Sequence, residues 1–184
     1  MSKITKQDLK RRAEFFSKYL FGIKYIGEIG FMPKTVEDDY TYKRMNNPMF
    51  GLFEHNEDAW DTDLDTEDYG IYVEDDYDEE YSDYIDTRTC LENCNIWIIS
   101  SAKKDVLWLN DILLHELIHF ALWYKGLEYK DGQKQFEDTL KKYKVSSNYG
   151  NKFDYETNKW KAIINRKQMQ IYEDMYQDYI KKGN

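Results

Sequence analysis

Three residues with the types and spacing of a metal site lie in residues 113–122, where His115, Glu116 and His119 form an H-E-x-x-H motif. On an α-helix, residues four apart lie on one face, so both imidazoles can point toward one ion. Glu116 is rotated by about 100° from His115, which places its carboxylate beside that ion. Zinc in such a site lowers the pKa of a bound water toward about 7, and Glu116 would accept the proton of that water. The motif therefore predicts zinc-dependent peptide hydrolysis with Glu116 as the catalytic base.

The competing interpretation is that the two histidines are ordinary core residues of an apolar helix. Both lie in the run Leu-Leu-His-Glu-Leu-Ile-His-Phe-Ala-Leu, and such a pattern can arise by chance. However, burying two imidazoles and a carboxylate costs several kcal/mol unless a partner satisfies them, and a metal ion does so. Two of the three histidines of the chain fall at this spacing, so metal binding is the interpretation that we favour.

Hydrophobic spacing predicts the elements that precede the motif. Residues 5–21 carry apolar side chains three and four positions apart and predict a helix, with Thr5 as its N-cap and Gly22 as its end. Residues 23–31 are rich in β-branched and aromatic side chains, which predicts a strand. Residues 95–100 are apolar and β-branched, which predicts a short buried strand before the motif helix.

The motif helix is predicted over residues 105–124, and a further helix follows within residues 131–144. Residues 145–154 are polar and are predicted to form a loop. A long C-terminal helix is predicted over residues 155–182. Its apolar stripe would consist of Trp160, Ile163, Ile164, Ile171 and Tyr179.

The charge of the chain is divided between a basic body and an acidic segment. The net charge is −9, but residues 45–87 contain no Lys or Arg, and 16 of the 35 acidic residues fall within residues 54–86. The remaining 19 acidic and 26 basic residues leave a net charge of +7, which would favour phosphate-bearing partners. Like charges at the density of the acidic segment repel each other, so we expect mostly loop there, with short strands around residues 69–73.

Together these elements predict one α+β domain over residues 1–184, with an acidic insertion at about residues 54–86. A small sheet would pack on the motif helix, with a helix before it and helices after it. The N-terminus is polar and shows no apolar signal region, and no apolar run approaches the ~20 residues that span a bilayer. We therefore expect a cytoplasmic protein with no membrane partner.

Three segments of the chain together resemble SprT-like (Spartan-type) zinc metalloproteases. They are the strand at residues 96–100, the motif region at residues 112–119 and the Asp-Gly-Gln-Lys-Gln-Phe segment at residues 131–136. The resemblance covers roughly residues 90–145 and more loosely the first helix. It implies a zincin-like fold, a Zn²⁺ cofactor and cleavage of proteins on DNA. The partners would then be a protein or peptide substrate and DNA or a DNA-bound protein.

The chain departs from this family at the third zinc ligand, which the family supplies as a His in an H-G-x-x-F-like pattern. Aligned on Phe136, that His falls on Gly132, which is followed by Gln133. Neither residue is a normal zinc ligand. Nearby carboxylates remain, first Asp131 and next Glu137, since a Glu on a following helix completes the site of thermolysin-like enzymes.

Two further interpretations of the third ligand stay open. Asp131 could equally be the N-cap of the helix that follows it. His55 is the remaining histidine of the chain, and it is a less favoured ligand because it lies in the acidic segment.

Three functions are compatible with the sequence. The first is a zinc-dependent endopeptidase. The second is an interaction protein, a nucleic-acid mimic or inhibitor, whose acidic and aromatic segment imitates phosphate spacing while the motif is degenerate or structural. The third is a metal-stabilised domain without catalysis, which a closed shell of four protein ligands would indicate.

Overall fold

The computed structural model describes residues 4–25, 27–32, 50–55, 94–147, 152–154, 159–161 and 163–183. Its helices and strands, in chain order, are α1 (Lys6–Phe16), β1 (Glu28–Phe31), β2 (Gly51–Glu54), β3 (Asn95–Ile98), α2 (Val106–Tyr124), α3 (Lys134–Tyr143), β4 (Lys152–Asp154), β5 (Lys159–Lys161) and α4 (Arg166–Lys181). Within the described residues, four α-helices accompany a three-stranded sheet, which confirms the predicted α+β class.

Helix α1 begins after the predicted N-cap, Thr5. The Thr5 hydroxyl accepts from the Asp8 amide at 3.1 Å, while the Asp8 carboxylate accepts from the Thr5 amide at 3.0 Å, which is a reciprocal capping box. The chain continues through a wider π-helical turn at Ser17–Phe21 and ends at Gly22. The φ angle of Gly22 is 73°, a left-handed conformation that glycine adopts without strain. The predicted helix and both of its ends are confirmed.

The three-stranded sheet has the order β1-β3-β2, with β1 parallel and β2 antiparallel to the central strand β3. The strand predicted over residues 23–31 is confirmed only in its last four residues, and the strand predicted over residues 95–100 gives way to a 3-10 turn at Ser100–Lys104. Strand β2 was not predicted, because it opens the region that charge repulsion assigned to loop. The strands predicted around residues 69–73 lie outside the described residues.

Helix α2 carries the H-E-x-x-H motif through the centre of the core. Asp105 caps it, since its carboxylate accepts from the amides of Leu107 and Trp108 at 3.1 and 3.3 Å. Every residue from 109 to 122 is buried, so the helix is enclosed on all sides. By length and composition, α2 is the one helix of the described residues that could span a membrane, but 72% of its apolar window is buried. Core helices pass the same test, so the predicted location stays a prediction.

The C-terminal region differs from the single helix predicted over residues 155–182. The loop predicted over residues 145–154 ends in strand β4, which forms an antiparallel hairpin with β5, and α4 begins only at Arg166. The predicted apolar stripe is also wrong, because Ile163, Ile171 and Tyr179 are 55%, 45% and 36% exposed. The face that packs on the core instead consists of Met169, Tyr172, Glu173 and Tyr176. Met169, Tyr172 and Tyr176 recur at three- and four-residue spacing, so the sequence contains a signal for this face that the predicted stripe did not follow.

A buried ion pair holds α1, α2 and α4 together. The Arg12 guanidinium on α1 donates to both carboxylate oxygens of Glu173 on α4. Asn110 on α2 donates to Glu173 at 2.8 Å and accepts from Arg12 at 3.0 Å. Burial alone would raise the pKa of Glu173, but the hydrogen bonds and charge of Arg12 outweigh burial, so the pKa is lowered. Removing either charged group would leave the other buried without a partner of opposite charge. The packing of the three helices therefore depends on this pair.

Candidate metal centre

His115, His119 and Asp131 converge at one point beside helix α2. The two imidazoles lie one helical turn apart, and their Nε2 atoms are 3.2 Å from each other. Asp131, in the turn between α2 and α3, places its Oδ1 3.4 Å from Nε2 of His115 and 3.9 Å from Nε2 of His119. The histidines are 5% and 9% exposed, whereas the Asp131 side chain is 37% exposed. The group is therefore buried on the helix side and open to solvent on the Asp131 side.

Backbone carbonyls determine which nitrogen of each imidazole carries its hydrogen. Nδ1 of His115 lies 2.9 Å from the carbonyl oxygen of Ser146, and Nδ1 of His119 is hydrogen-bonded to the carbonyl oxygen of Tyr129. A carbonyl can only accept, so each Nδ1 carries a hydrogen and donates it. The Nε2 atoms of two neutral rings then present lone pairs toward each other and toward Asp131. Such an arrangement calls for a cation between them.

The separations of the three donor atoms fit a tetrahedral zinc ion. Zinc binds imidazole nitrogen and carboxylate oxygen at about 2.0–2.2 Å, so tetrahedral ligands lie roughly 3.3–3.6 Å apart. The observed separations of 3.2, 3.4 and 3.9 Å lie around this range. The group has three members among the described residues, and a tetrahedral zinc ion has one coordination position beyond these three.

In the metal-free protein, the histidine pair binds a proton at the same point. Burial alone would lower the pKa of His115, but its hydrogen bond to Asp131 and the charge of Glu116 raise that pKa to about 9. Burial and the charge of His115 lower the pKa of His119. His115 is therefore the member of the pair that binds a proton more readily, and that proton would compete with a metal ion for the same nitrogen.

Glu116 is held between helix α2 and strand β2. It is 5% exposed, and its carboxylate accepts a hydrogen bond from the backbone amide of Phe53. The backbone of Gly51 lies so close to the Glu116 side chain that a Cβ at position 51 would lie 2.4 Å from Oε1 of Glu116. Burial raises the pKa of Glu116 to about 7, helped by the charge of Asp131 and opposed by His115 and the Phe53 hydrogen bond. A carboxylate whose pKa lies near neutral pH is suited to act as a general base.

Aromatic rings restrict the orientation of both imidazoles. Phe136 of α3 is fully buried, and its ring stacks on His119 with 4.0 Å between ring centroids. The same ring meets His115 edge-on at 5.2 Å. Phe53 of β2 lies parallel to the His119 ring at 6.4 Å. Packed rings of this kind lock side-chain rotamers, so the donor atoms are held in place before a ligand arrives.

The structure distinguishes between the candidates for the third ligand. Asp131 joins the two histidines, and it is not the N-cap of α3, because Gln133 occupies that position. Glu137 does not join them; its carboxylate accepts a backbone amide in the turn before α3. His55 packs among aromatic side chains, where its Nε2 lies 2.9 Å from a tyrosine hydroxyl, and it is not a member of the group.

Some supporting residues of the site could not be predicted from the motif. The carbonyls of Tyr129 and Ser146 are backbone groups that any residue type could supply. Residue types at these two positions therefore do not predict the contacts. Gly51 offered a weak signal as the first residue of an apolar Gly-Leu-Phe segment, but its contact with Glu116 depends on a strand that was not predicted.

Comparison with protein-family models, curated proteins and solved structures finds no match to this chain. Membership of the SprT-like family therefore stays a prediction. Support for the metal centre comes from the donor geometry of His115, His119 and Asp131.

Proposed function

We propose that this chain is a zinc-dependent metallopeptidase with a zincin-like, SprT-like catalytic domain. The observation that carries the proposal is the convergence of three donor atoms at separations suited to zinc, next to a buried carboxylate with a pKa near neutral pH. The position of the motif helix against a small sheet is consistent with a zincin-like arrangement.

The residues of the site have distinct roles in this proposal. His115 and His119 would hold zinc through Nε2, and Asp131 would hold it through Oδ1. Bound zinc would supply a water of lowered pKa and would polarise the peptide carbonyl. Glu116 would accept the proton of the attacking water and pass it to the leaving amine nitrogen. Burial raises the pKa of Glu116 above its usual value, which suits a group that must both accept and release a proton.

Strand β2 supports a peptide as the substrate class. Within the described residues it pairs with β3 alone and is an outer strand of the sheet that those residues form. An extended peptide can add to such an edge through main-chain hydrogen bonds. Because Gly51 and Phe53 of this strand contact Glu116, a peptide on this edge would pass beside the metal centre. DNA-bound proteins are the substrates that the resemblance implies, and the basic body of the chain is consistent with them.

The test measures zinc content and cleavage of an unfolded protein substrate for the wild type and three variants. Glu116→Gln should retain zinc and lose cleavage by about 10²–10⁴-fold, because only the base is removed. Asp131→Ala should lose both zinc and cleavage. Glu137→Gln is the matched control, a nearby carboxylate outside the donor group, and should change neither. A wild-type protein that binds no divalent metal, or that cleaves no faster than Glu116→Gln, would refute the proposal.

The other two functions make different predictions. An acidic interaction protein should lose activity when residues 56–86 are deleted and keep it in Glu116→Gln. Those residues lie outside the described part of the chain, so this alternative stays a prediction. A purely structural zinc site would have four protein ligands, and three donors converge among the described residues. A fourth protein ligand in zinc-loaded crystals would favour the structural site over the peptidase.

A further inference from the structure

A buried carboxylate one helical turn before the motif forms hydrogen bonds with Ser146, the residue whose carbonyl contacts His115. Asp111 of α2 is 1% exposed and lies four residues before His115, on the same helix face. Its Oδ1 accepts from the Ser146 backbone amide at 3.1 Å, and its Oδ2 accepts from the Ser146 hydroxyl. One carboxylate thus fixes both the backbone and the side chain of Ser146, which limits the rotation of this residue.

The position of Ser146 depends on how the chain leaves helix α3. Lys144 ends that helix with a φ of 56°, and the amide of Val145 donates back to the Leu140 carbonyl at 3.0 Å. Val145 is then 7% exposed in the core, so the chain turns from α3 onto α2. This turn places Ser146 alongside Asp111, where its own carbonyl oxygen lies 2.9 Å from Nδ1 of His115.

We propose that Asp111 is a positioning residue for the metal centre, which holds Ser146 so that the Ser146 carbonyl fixes the ring orientation and tautomer of His115. The proposal rests on the zinc-binding function proposed above. Both hydrogen bonds of Asp111 go to Ser146 and neither goes to a metal donor, while its charge also acts directly on His115. The carbonyl keeps the hydrogen on Nδ1 and leaves the Nε2 lone pair directed at the metal.

The corresponding contact at His119 is built differently. The Tyr129 carbonyl that accepts from His119 belongs to the turn directly after α2, ten residues along the chain. Ser146 is 31 residues from His115 and reaches it only because α3 returns the chain to α2. The position of the Ser146 carbonyl is therefore less constrained by the chain than that of Tyr129. Asp111 is the side chain that binds Ser146 in this position.

Three variants and a matched control test the proposal by zinc affinity, measured by competition with a chromophoric chelator. Asp111→Ala removes both bonds to Ser146 and should weaken zinc binding roughly ten- to hundredfold, the range seen when groups that orient a metal ligand are lost. Ser146→Ala removes only the hydroxyl bond and should have a smaller effect. Asp111→Asn can still accept from the Ser146 amide and should bind zinc more tightly than Asp111→Ala.

Asn110→Ala is the matched control for loss of stability. Asn110 is also fully buried on α2, but it bonds to Arg12 and Glu173 and not to the metal centre. This variant should lower the urea midpoint and leave zinc affinity unchanged. Equal loss of zinc affinity in Asn110→Ala and Asp111→Ala would show that Asp111 acts only through stability and would overturn the proposal.

A spectroscopic readout separates this inference from the proposed function. Nitrogen-15 NMR of the metal-free and zinc-loaded wild type should show a protected hydrogen on Nδ1 of His115, lost or fast-exchanging in Asp111→Ala and retained in Asn110→Ala. If the wild type binds no zinc, the proposed function fails, while the metal-free spectra still decide whether Asp111 controls His115. If the Nδ1 hydrogen is equally protected in Asp111→Ala, the inference fails even though the zinc site stands.

Discussion

Replacing Gly51 by Ala should displace the proposed base without removing the metal. A Cβ at Gly51 would lie 2.4 Å from Oε1 of Glu116 and 2.8 Å from its carboxylate carbon, whereas ordinary contact begins at 3.4 Å. The added methyl group must therefore push the Glu116 carboxylate, or strand β2, by about 1 Å. Neither histidine lies among the atoms nearest to this Cβ, so the metal ligands should stay in place.

The magnitude follows from the size of that displacement. A shift of about 1 Å in a catalytic group can cost about 10²-fold in rate, which corresponds to about 2.7 kcal/mol of transition-state stabilisation. Overpacking a buried contact also costs about 1–3 kcal/mol of folding free energy. Gly51→Ala should thus lower kcat by about 100-fold, reduce the urea midpoint modestly and leave zinc stoichiometry at the wild-type value.

The assay combines steady-state proteolysis with metal analysis and includes a compensating variant. Glu116→Asp shortens the side chain by one methylene and makes room for the new methyl group. The double variant Gly51→Ala/Glu116→Asp should therefore be no slower than Glu116→Asp alone, although each single variant is impaired. Full activity in Gly51→Ala, or strictly additive losses in the double variant, would show that the position of Glu116 against β2 does not govern catalysis.

Replacing Arg12 by Met should lower the free energy of unfolding by about 3–5 kcal/mol, because Glu173 would stay buried without its partner; a loss below about 1 kcal/mol in urea denaturation would contradict this. The folded-state pKa of Glu173 lies below the usual 4.5, so its stabilisation is present above that value and is lost as pH falls through the folded pKa. The urea midpoints of wild type and Glu173→Gln should therefore differ fully above pH 4.5 and converge as the pH falls through the lowered folded pKa of Glu173. Removing the metal with a chelator should lower the melting temperature, since a ligand at about 100 times its Kd contributes about 2.7 kcal/mol, and an unchanged melting temperature would count against bound metal.

The parts of the structure that depend on local sequence were predicted well. Thr5 and Asp8 form a capping box within one helical turn, and Gly22 ends the helix in a left-handed conformation. His115 and His119 face one point because residues four apart share a helix face, whatever the rest of the fold does. Such features are decided by contacts between near neighbours in the chain, so single-sequence reasoning can reach them.

The parts that depend on distant contacts were predicted poorly. Strand β2 exists because it pairs with β3, a strand far along the chain, and its own sequence is short and borders the acidic segment. Helix α4 buries Glu173 beside Met169, Tyr172 and Tyr176 because Arg12 on α1 neutralises that carboxylate. The partner that allows this burial lies outside residues 166–181, so those residues alone do not predict it. Asp131 was favoured only as the nearest carboxylate, and its approach to the histidines is set by the turn between α2 and α3.

The most direct measurement of the central proposal is anomalous scattering at the zinc edge from crystals grown with zinc. We expect a single strong peak bonded to Nε2 of His115, Nε2 of His119 and Oδ1 of Asp131, with a fourth position taken by water. A peak bound elsewhere, or imidazoles that turn away from each other around an empty gap in the presence of zinc, would contradict it.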